Sequence, residues 1–410
     1  MPEQTPPDPV VVAPAPAAVA RLLAVSATLG AVVALGFQAF AWSSDELLHL
    51  IWIDWAGEHP AAWVTMALAT AGGLALGVTL KLVPGHGGPH PGDGHGLVPE
   101  MEGGGPTAIG IVVAGFVSLV AGASLGPEGA VIPATAAFAT IVAGWARMKG
   151  PETKLLVGAA LAALLATMFG SPLAGAVPLM EIAGVSGFGL TMAMLPALTA
   201  SATAVMTLRV IGSGAIGAMD LTYDGWQAGH LVWAVAVGVV AGALGVLVDW
   251  STPHLRRFVA RVEAHSLLLV TTLGGAVLGL TYVIGGDDIR FRGVPELGEF
   301  VAGDPSAGAA LLAVAMKVVA LTVCLAVGYR GGKIFPLVFI GGAAGLAVHL
   351  IVPAVPLSVG VAAGLAGTIA AGLRAPVIAS VIAAAVVGPD LLPLAIVAVV
   401  AAHAVHLLAD

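Results

Sequence analysis

The chain has 410 residues, 59% of them hydrophobic and only 9% charged, with a formal net charge of -8 and a mean hydropathy of +1.02. That balance belongs to a polytopic membrane protein whose surrounding solvent is lipid, and it excludes a soluble domain and a basic nucleic-acid-binding surface. The single cysteine, Cys324, excludes a disulfide or a cysteine metal site within one chain.

Residues 1–19 read as a disordered tail, rich in Pro and Ala and without the basic start of a signal peptide. Residues 20–410 read as one membrane domain, in repeat halves of about 20–212 and 226–408. Arg21 precedes an apolar run at 22–42 long enough to span a bilayer, which suggests a cytoplasmic N-terminus. Residues 42–59 carry Asp45, Glu46, Trp52, Asp54, Trp55 and Glu58 and suit a non-cytoplasmic interface; 62–82 then returns. Between 84 and 96, glycines and prolines interrupt any regular helix, and His86, His90, Asp93 and His95 fall in a spacing that fits no standard zinc pattern. A glycine-spaced segment at 110–123 leads to a turn, and 130–145 reads as the helix after it.

The runs 155–169 and 172–182 are interrupted at Gly170, Ser171 and Pro172, the sequence sign of discontinuous helices in transporters. A span at 188–211 closes the first set. The second set opens at 226–250, followed by Arg256, Arg257 and Arg261, the strongest basic cluster and therefore cytoplasmic. Further apolar runs lie at 266–284, 311–327, 337–352, 357–371, 376–387 and 391–408, with a polar loop at 285–305.

The working part is placed at residues 122–133, where Glu128 stands between glycines in an otherwise lipid-soluble stretch. A carboxylate at membrane depth costs roughly 2.5 kcal/mol or more, so it is a functional candidate by default. The alternative is an extramembrane loop glutamate that caps a helix. The stretch 126–130 aligns with 332–336, and 170–174 with about 373–377, at a near-constant offset as an internal duplication would leave. Two such halves would bring helix N-termini together at the bilayer midplane and make a site of positive potential, an anion site.

At this point the residues resemble the chloride channel and proton/chloride antiporter (CLC) family over most of the chain. The resemblance is carried by Gly85-His86-Gly87-Gly88-Pro89, Gly126-Pro127-Glu128-Gly129-Ala130 and Gly332-Lys333-Ile334-Phe335-Pro336, with family-like strings at 172–175 and 374–376. It implies an all-α fold, an inverted repeat of tilted and broken transmembrane helices. It also implies an anion site contributed by His86, Gly87, Gly88, Gly126, Pro127, Gly129, Ala130, Lys333, Ile334 and Phe335, with Glu128 as the gating carboxylate, displaced or protonated to let anions pass. His86 stands where the family usually has a serine, and Ile334 at the motif phenylalanine, so aromatic contact there is lost or taken over by Phe335. The family antiporters' inner proton-relaying glutamate aligns with Ile182, with Glu181 as its acidic neighbour. The chain ends near the family's penultimate helix, so no central tyrosine is matched.

Two readings stand for each remaining candidate. Glu181 either serves a proton relay or faces a vestibule or caps a helix end. Lys333 either attracts anions or snorkels to the interface. His86 either donates to an anion or is a loop histidine, and Arg374 anchors a helix break. The expected function is channel-like passage of chloride or another halide, with proton-coupled halide antiport, fluoride included, as the alternative; an intramembrane enzyme using His86, His90, Asp93 and His95 lacks a nucleophile. No catalytic residue, metal or cofactor is called for. The expected setting is a homodimer in the lipid bilayer of the cell membrane, without nucleic acid.

Overall fold

The computed structural model describes residues 16–93, 104–183, 187–214, 219 and 221–409; the expected tail lies almost wholly outside them. In lipid each backbone N–H and C=O must find a partner within the chain, and the apolar runs satisfy this as helices. In chain order these are α1 (Pro16–His49), α2 (Ala62–Leu82), α3 (Gly104–Val120), α4 (Glu128–Trp145), α5 (Pro151–Phe169), α6 (Pro172–Ala176), α7 (Pro178–Ala183) and α8 (Gly187–Val210). The second set is α9 (Ala228–Glu263), α10 (Leu267–Gly285), α11 (Val294–Ala302), α12 (Ala307–Val327), α13 (Ile334–Ile351), α14 (Leu357–Leu373), α15 (Pro376–Val387) and α16 (Leu392–Ala409). Among the described residues, ten helical segments are long and apolar enough to cross a membrane, and the protein is all-α and polytopic.

Several boundaries differ from the sequence reading. The acidic, aromatic stretch after residue 42 is helical: α1 runs to His49 and widens into a π-type turn over Leu50–Trp55. That turn brings Trp52 inward, where its indole N–H donates to the Val120 carbonyl at 3.1 Å. The basic cluster Arg256, Arg257 and Arg261 lies within α9, which continues through Pro253. At 34 and 36 residues, α1 and α9 would each exceed about 50 Å at 1.5 Å per residue. A hydrocarbon core of about 30 Å therefore forces them to tilt or to project beyond it. The polar loop after α10 contains α11, whose start is closed by the Gly293 N–H donating to the Glu296 carboxylate at 2.8 Å.

The duplication is visible in how helices pair. In the first half α1 packs on α5 and α8, α4 on α5, and α5 on α8; in the second α9 packs on α14 and α16, α13 on α14, and α14 on α16. Where the halves meet, equivalent elements touch each other: α2 with α10, and the broken pair α6 and α7 with α15. This is the packing of two copies around a pseudo-two-fold axis, the arrangement of inverted-repeat transporters.

The core of the second half is α13 against α14, both buried along nearly their full length. Their backbones approach through Gly341 and Gly345 on one helix and Gly360 and Gly364 on the other. A Cβ at Gly345 would lie 1.9 Å from the Gly360 carbonyl oxygen, and one at Gly341 2.3 Å from that of Gly364. Small residues four apart on both faces permit this contact, which in lipid is held by close van der Waals packing rather than by exclusion of water.

A second support is Lys317 of α12, a fully buried ammonium. It donates to the carbonyls of Ile289 (3.0 Å), Arg290 (3.3 Å) and Phe291 (2.9 Å) and lies 4.9 Å from the centre of the Phe339 ring. A buried charge is tolerated when its donors are satisfied, and here the three bonds hold the turn before α11. From that turn Arg292 reaches Asp45 and Ser44, tying the second half to α1.

Candidate functional site

The loops that precede α4 and α13 meet at the equivalent glycines. Gly126 N–H donates to the Gly332 carbonyl and Gly332 N–H to that of Gly126, both at 2.8 Å. Pro127 then turns the chain into α4, which begins at Glu128 itself and not at residue 130 as the sequence suggested. Consequently the amide that holds the carboxylate comes from the other half: Ile334 N–H, at the first turn of α13, donates to Glu128 Oε1 at 2.7 Å. The two residues are 206 positions apart, the repeat offset. Glu128 is 2% exposed, and its Oε2 has no partner among the described residues. A carboxylate seated on a helix N-terminus occupies the position of an anion.

Glycine is required for that seat. A Cβ on Gly332 would lie 2.2 Å from the Glu128 carboxyl carbon, and one on Gly129 2.2 Å from the Gly331 carbonyl carbon. Ala130 is fully buried beneath the loop. Phe335, also fully buried, stacks on Phe169 with ring centres 6.2 Å apart and planes 16° apart.

A cavity of about 170 Å³ opens on this seat, its wall including Glu128, Gly129, Lys333, Ile334, His90 and Asp249. The first motif borders it through Gly87 and Pro89. Gly88 reaches the site only through its carbonyl: the Arg330 guanidinium donates to the carbonyls of His86 (3.1 Å), Gly87 (2.7 Å), Gly88 (3.2 Å) and Gly328 (3.1 Å). One buried side chain thereby ties the first-half motif to the second-half loop. The His86 ring is exposed, with Nδ1 3.1 Å from the Leu80 carbonyl, and it does not line the cavity. His90 does, with its Nδ1 accepting the Gly92 N–H at 3.1 Å. His95 lies outside the described residues, and among those described no three metal-ligating side chains gather.

Lys333 lines the cavity as the N-cap of α13 and pairs with Asp249 of α9 at 3.4 Å. Arg374, at the break between α14 and α15, pairs with the same carboxylate at 2.7 Å. Glu181 is not gathered into the cavity. Its two oxygens accept the N–H groups of Val377 (3.1 Å) and Ile378 (3.0 Å), capping α15 across the pseudo-two-fold axis. The side chain of Ile182 lies outside the described residues.

Sequence reasoning missed Arg330 and Asp249. Each had a signal: Asp249 is an acid inside an apolar run, and Arg330 a cation in a glycine-rich break, both default functional candidates at membrane depth.

Fold and site together define a polytopic membrane protein of the inverted-repeat kind, in which the carboxylate at the start of α4 is held by the first amide of α13. The Voltage gated chloride channel family matches residues 72–407, and the chain belongs to that CLC family of membrane anion transporters. It is 30% identical over 323 residues to the "Putative ion-transport protein YfeO" of Escherichia coli O7:K1, covering 76% of this chain and 75% of that one. Among solved structures, that of a slow cyanobacterial Cl-/H+ antiporter superposes with a TM-score of 0.82 at 21% identity, covering 95% of both chains. A CLC-type fluoride/proton antiporter superposes at 0.75 with 17% identity, covering 95% of this chain and 96% of that one.

Proposed function

We propose that this protein passes chloride or another halide across the cell membrane in a channel-like manner, with Glu128 as the gate. The observation that carries the reading is the Glu128 carboxylate on the Ile334 N–H, where a halide would take the same donor. When ionised and seated, the carboxylate blocks the path; protonation or displacement clears it. The surrounding backbone of Gly126, Pro127, Gly129, Ala130, Gly332 and Phe335 shapes the seat, and Arg330 holds Gly87 and Gly88 against it. Chloride efflux from liposomes tests this: Glu128→Gln or Glu128→Ala raises flux or abolishes its pH dependence, and unchanged flux with an unchanged pH response refutes the gate.

The second reading is proton-coupled halide antiport, favoured by the antiporter neighbours in fold. Reversal potentials in a proton gradient separate the two, since a fixed anion-to-proton ratio belongs only to the antiporter. We further propose one transport domain from about residue 20, with repeat halves 20–212 and 226–408, and a cytoplasmic N-terminus on the side of Arg256, Arg257 and Arg261. A homodimer is supported by the small residues along α8 and α15, which permit close helix contact in lipid. Of the glycine- and alanine-rich runs at 188–211 and 357–387 that suit such a contact, the part at 357–373 is α14, buried within the chain, which leaves α8 and α15. A strictly monomeric protein in mild detergent and in lipid would overturn the dimer.

A further inference from the structure

The cavity beside Glu128 meets a second carboxylate, Asp249, for which the gating mechanism has no use. Its side chain is 12% exposed and faces two cations from different elements: Lys333, before α13, and Arg374, after α14. The two are held unequally. Arg374 donates to Asp249 Oδ2 from Nε at 3.1 Å and from Nη2 at 2.7 Å, a two-pronged bond to one oxygen. The Lys333 ammonium makes one longer contact, 3.4 Å, to Oδ1. A guanidinium fork resists displacement, whereas a lysine is a point charge on a flexible stem that exchanges partners readily.

Position makes the looser contact consequential. Lys333 directly precedes Ile334, whose N–H holds Glu128, and both side chains line the same cavity. The ammonium is therefore a positive charge that a halide entering the cavity meets beside the Glu128 seat, and Asp249 already occupies it. A halide and the Asp249 carboxylate carry the same charge and compete for the same donor.

We infer that Asp249 is an internal counter-anion for Lys333: anchored by Arg374, it lowers the affinity of the cavity for halide, and an arriving anion takes Lys333 from it. The residue tunes how tightly the transported ion is held and does not take part in the gate. The inference rests on the transport reading above, in which halide crosses this cavity.

The test is the half-saturating chloride concentration for equilibrium chloride exchange in liposomes. Asp249→Asn keeps shape and an acceptor for Arg374 while removing the charge. It lowers the half-saturating concentration by about fourfold, the effect of a unit charge taken as about 5 Å from the ion in a water-like dielectric. Lys333→Gln raises it, and Asp249→Asn lowers it by less in the Lys333→Gln background than in the wild type, because the part of the effect that runs through competition for the ammonium is gone. Arg374→Gln leaves the carboxylate beside Lys333 and does not lower the value. If Asp249 is merely a tie between α9 and α14, Asp249→Asn and Arg374→Gln both reduce thermal stability and neither shifts half-saturation, which overturns the inference. Should Asp249→Asn not elute as folded protein, an unchanged half-saturation in Lys333→Gln overturns it equally. Failure of the transport reading looks different: no chloride flux in the wild type or in Glu128→Ala.

Discussion

Gly332→Ala perturbs the gate without touching the carboxylate. The three atoms nearest to a Cβ at this position all belong to Glu128, with Cγ, Cδ and Oε1 each 2.2 Å away. Backbone strain is not a competing effect, since Gly332 is absent from the positive-φ residues and alanine accepts its conformation. The yielding partner is thus the end of a flexible side chain, and the glutamate must leave its seat. It then loses the 2.7 Å bond from the Ile334 N–H. A hydrogen bond to a charged group contributes about 1.5–3 kcal/mol, so the ratio of seated to unseated carboxylate falls by roughly ten- to a hundredfold. Chloride efflux from liposomes at fixed pH should rise towards that of Glu128→Ala, and Gly332→Ala in the Glu128→Ala background should add nothing. Flux and pH response both equal to wild type would refute the seat as the gate. An equal rise with and without Glu128 would show that the methyl acts on the pore directly.

Three further outcomes follow from the geometry. Lys317→Met leaves three buried carbonyls without their donor, and thermal unfolding in detergent should show a loss of at least about 3 kcal/mol; an unchanged melting temperature refutes the support role. Glu181→Gln removes the charge that caps α15 and should cost about 1 kcal/mol of stability with proton movement unchanged. A fixed anion-to-proton ratio that collapses in this variant would instead make Glu181 the inner proton relay. His86→Ser should leave halide preference as it is, because the exposed ring is turned to the Leu80 carbonyl, and a shifted preference in bi-ionic potentials would return the ring to the anion path.

Much of the protein is legible along the chain because lipid imposes a local rule. Apolar runs must satisfy their own backbone and become helices, which gives the spans, the breaks at Gly170 and Pro172, and the repeat offset that pairs residue 126 with 332. Glu128 stood out for the same reason, as a charge where charges are expensive. Helix ends were less legible. Trp42 and Asp45 look interfacial by composition, yet α1 continues past them because Arg292 and Trp52 find partners on distant elements.

What only the tertiary structure decided is which group meets which across the two halves. Sequence placed Glu128 at a helix N-terminus, and the tertiary structure adds a donor that spacing could not show, the Ile334 amide of the other repeat. His86 and Glu181 fit their motifs by position, whereas their side chains bond the Leu80 carbonyl and the α15 amides. Neither Arg330 nor Asp249 carries a motif: Arg330 joins loops from both halves, and Asp249 ties α9 to the residues before α13 and after α14 within the second half. Spacing along a chain determines helix and repeat because those depend on neighbours in sequence. The direction of a buried polar side chain depends on the nearest unsatisfied donor or acceptor, and for Glu128 and Glu181 that partner is about 200 residues away, across the pseudo-two-fold axis.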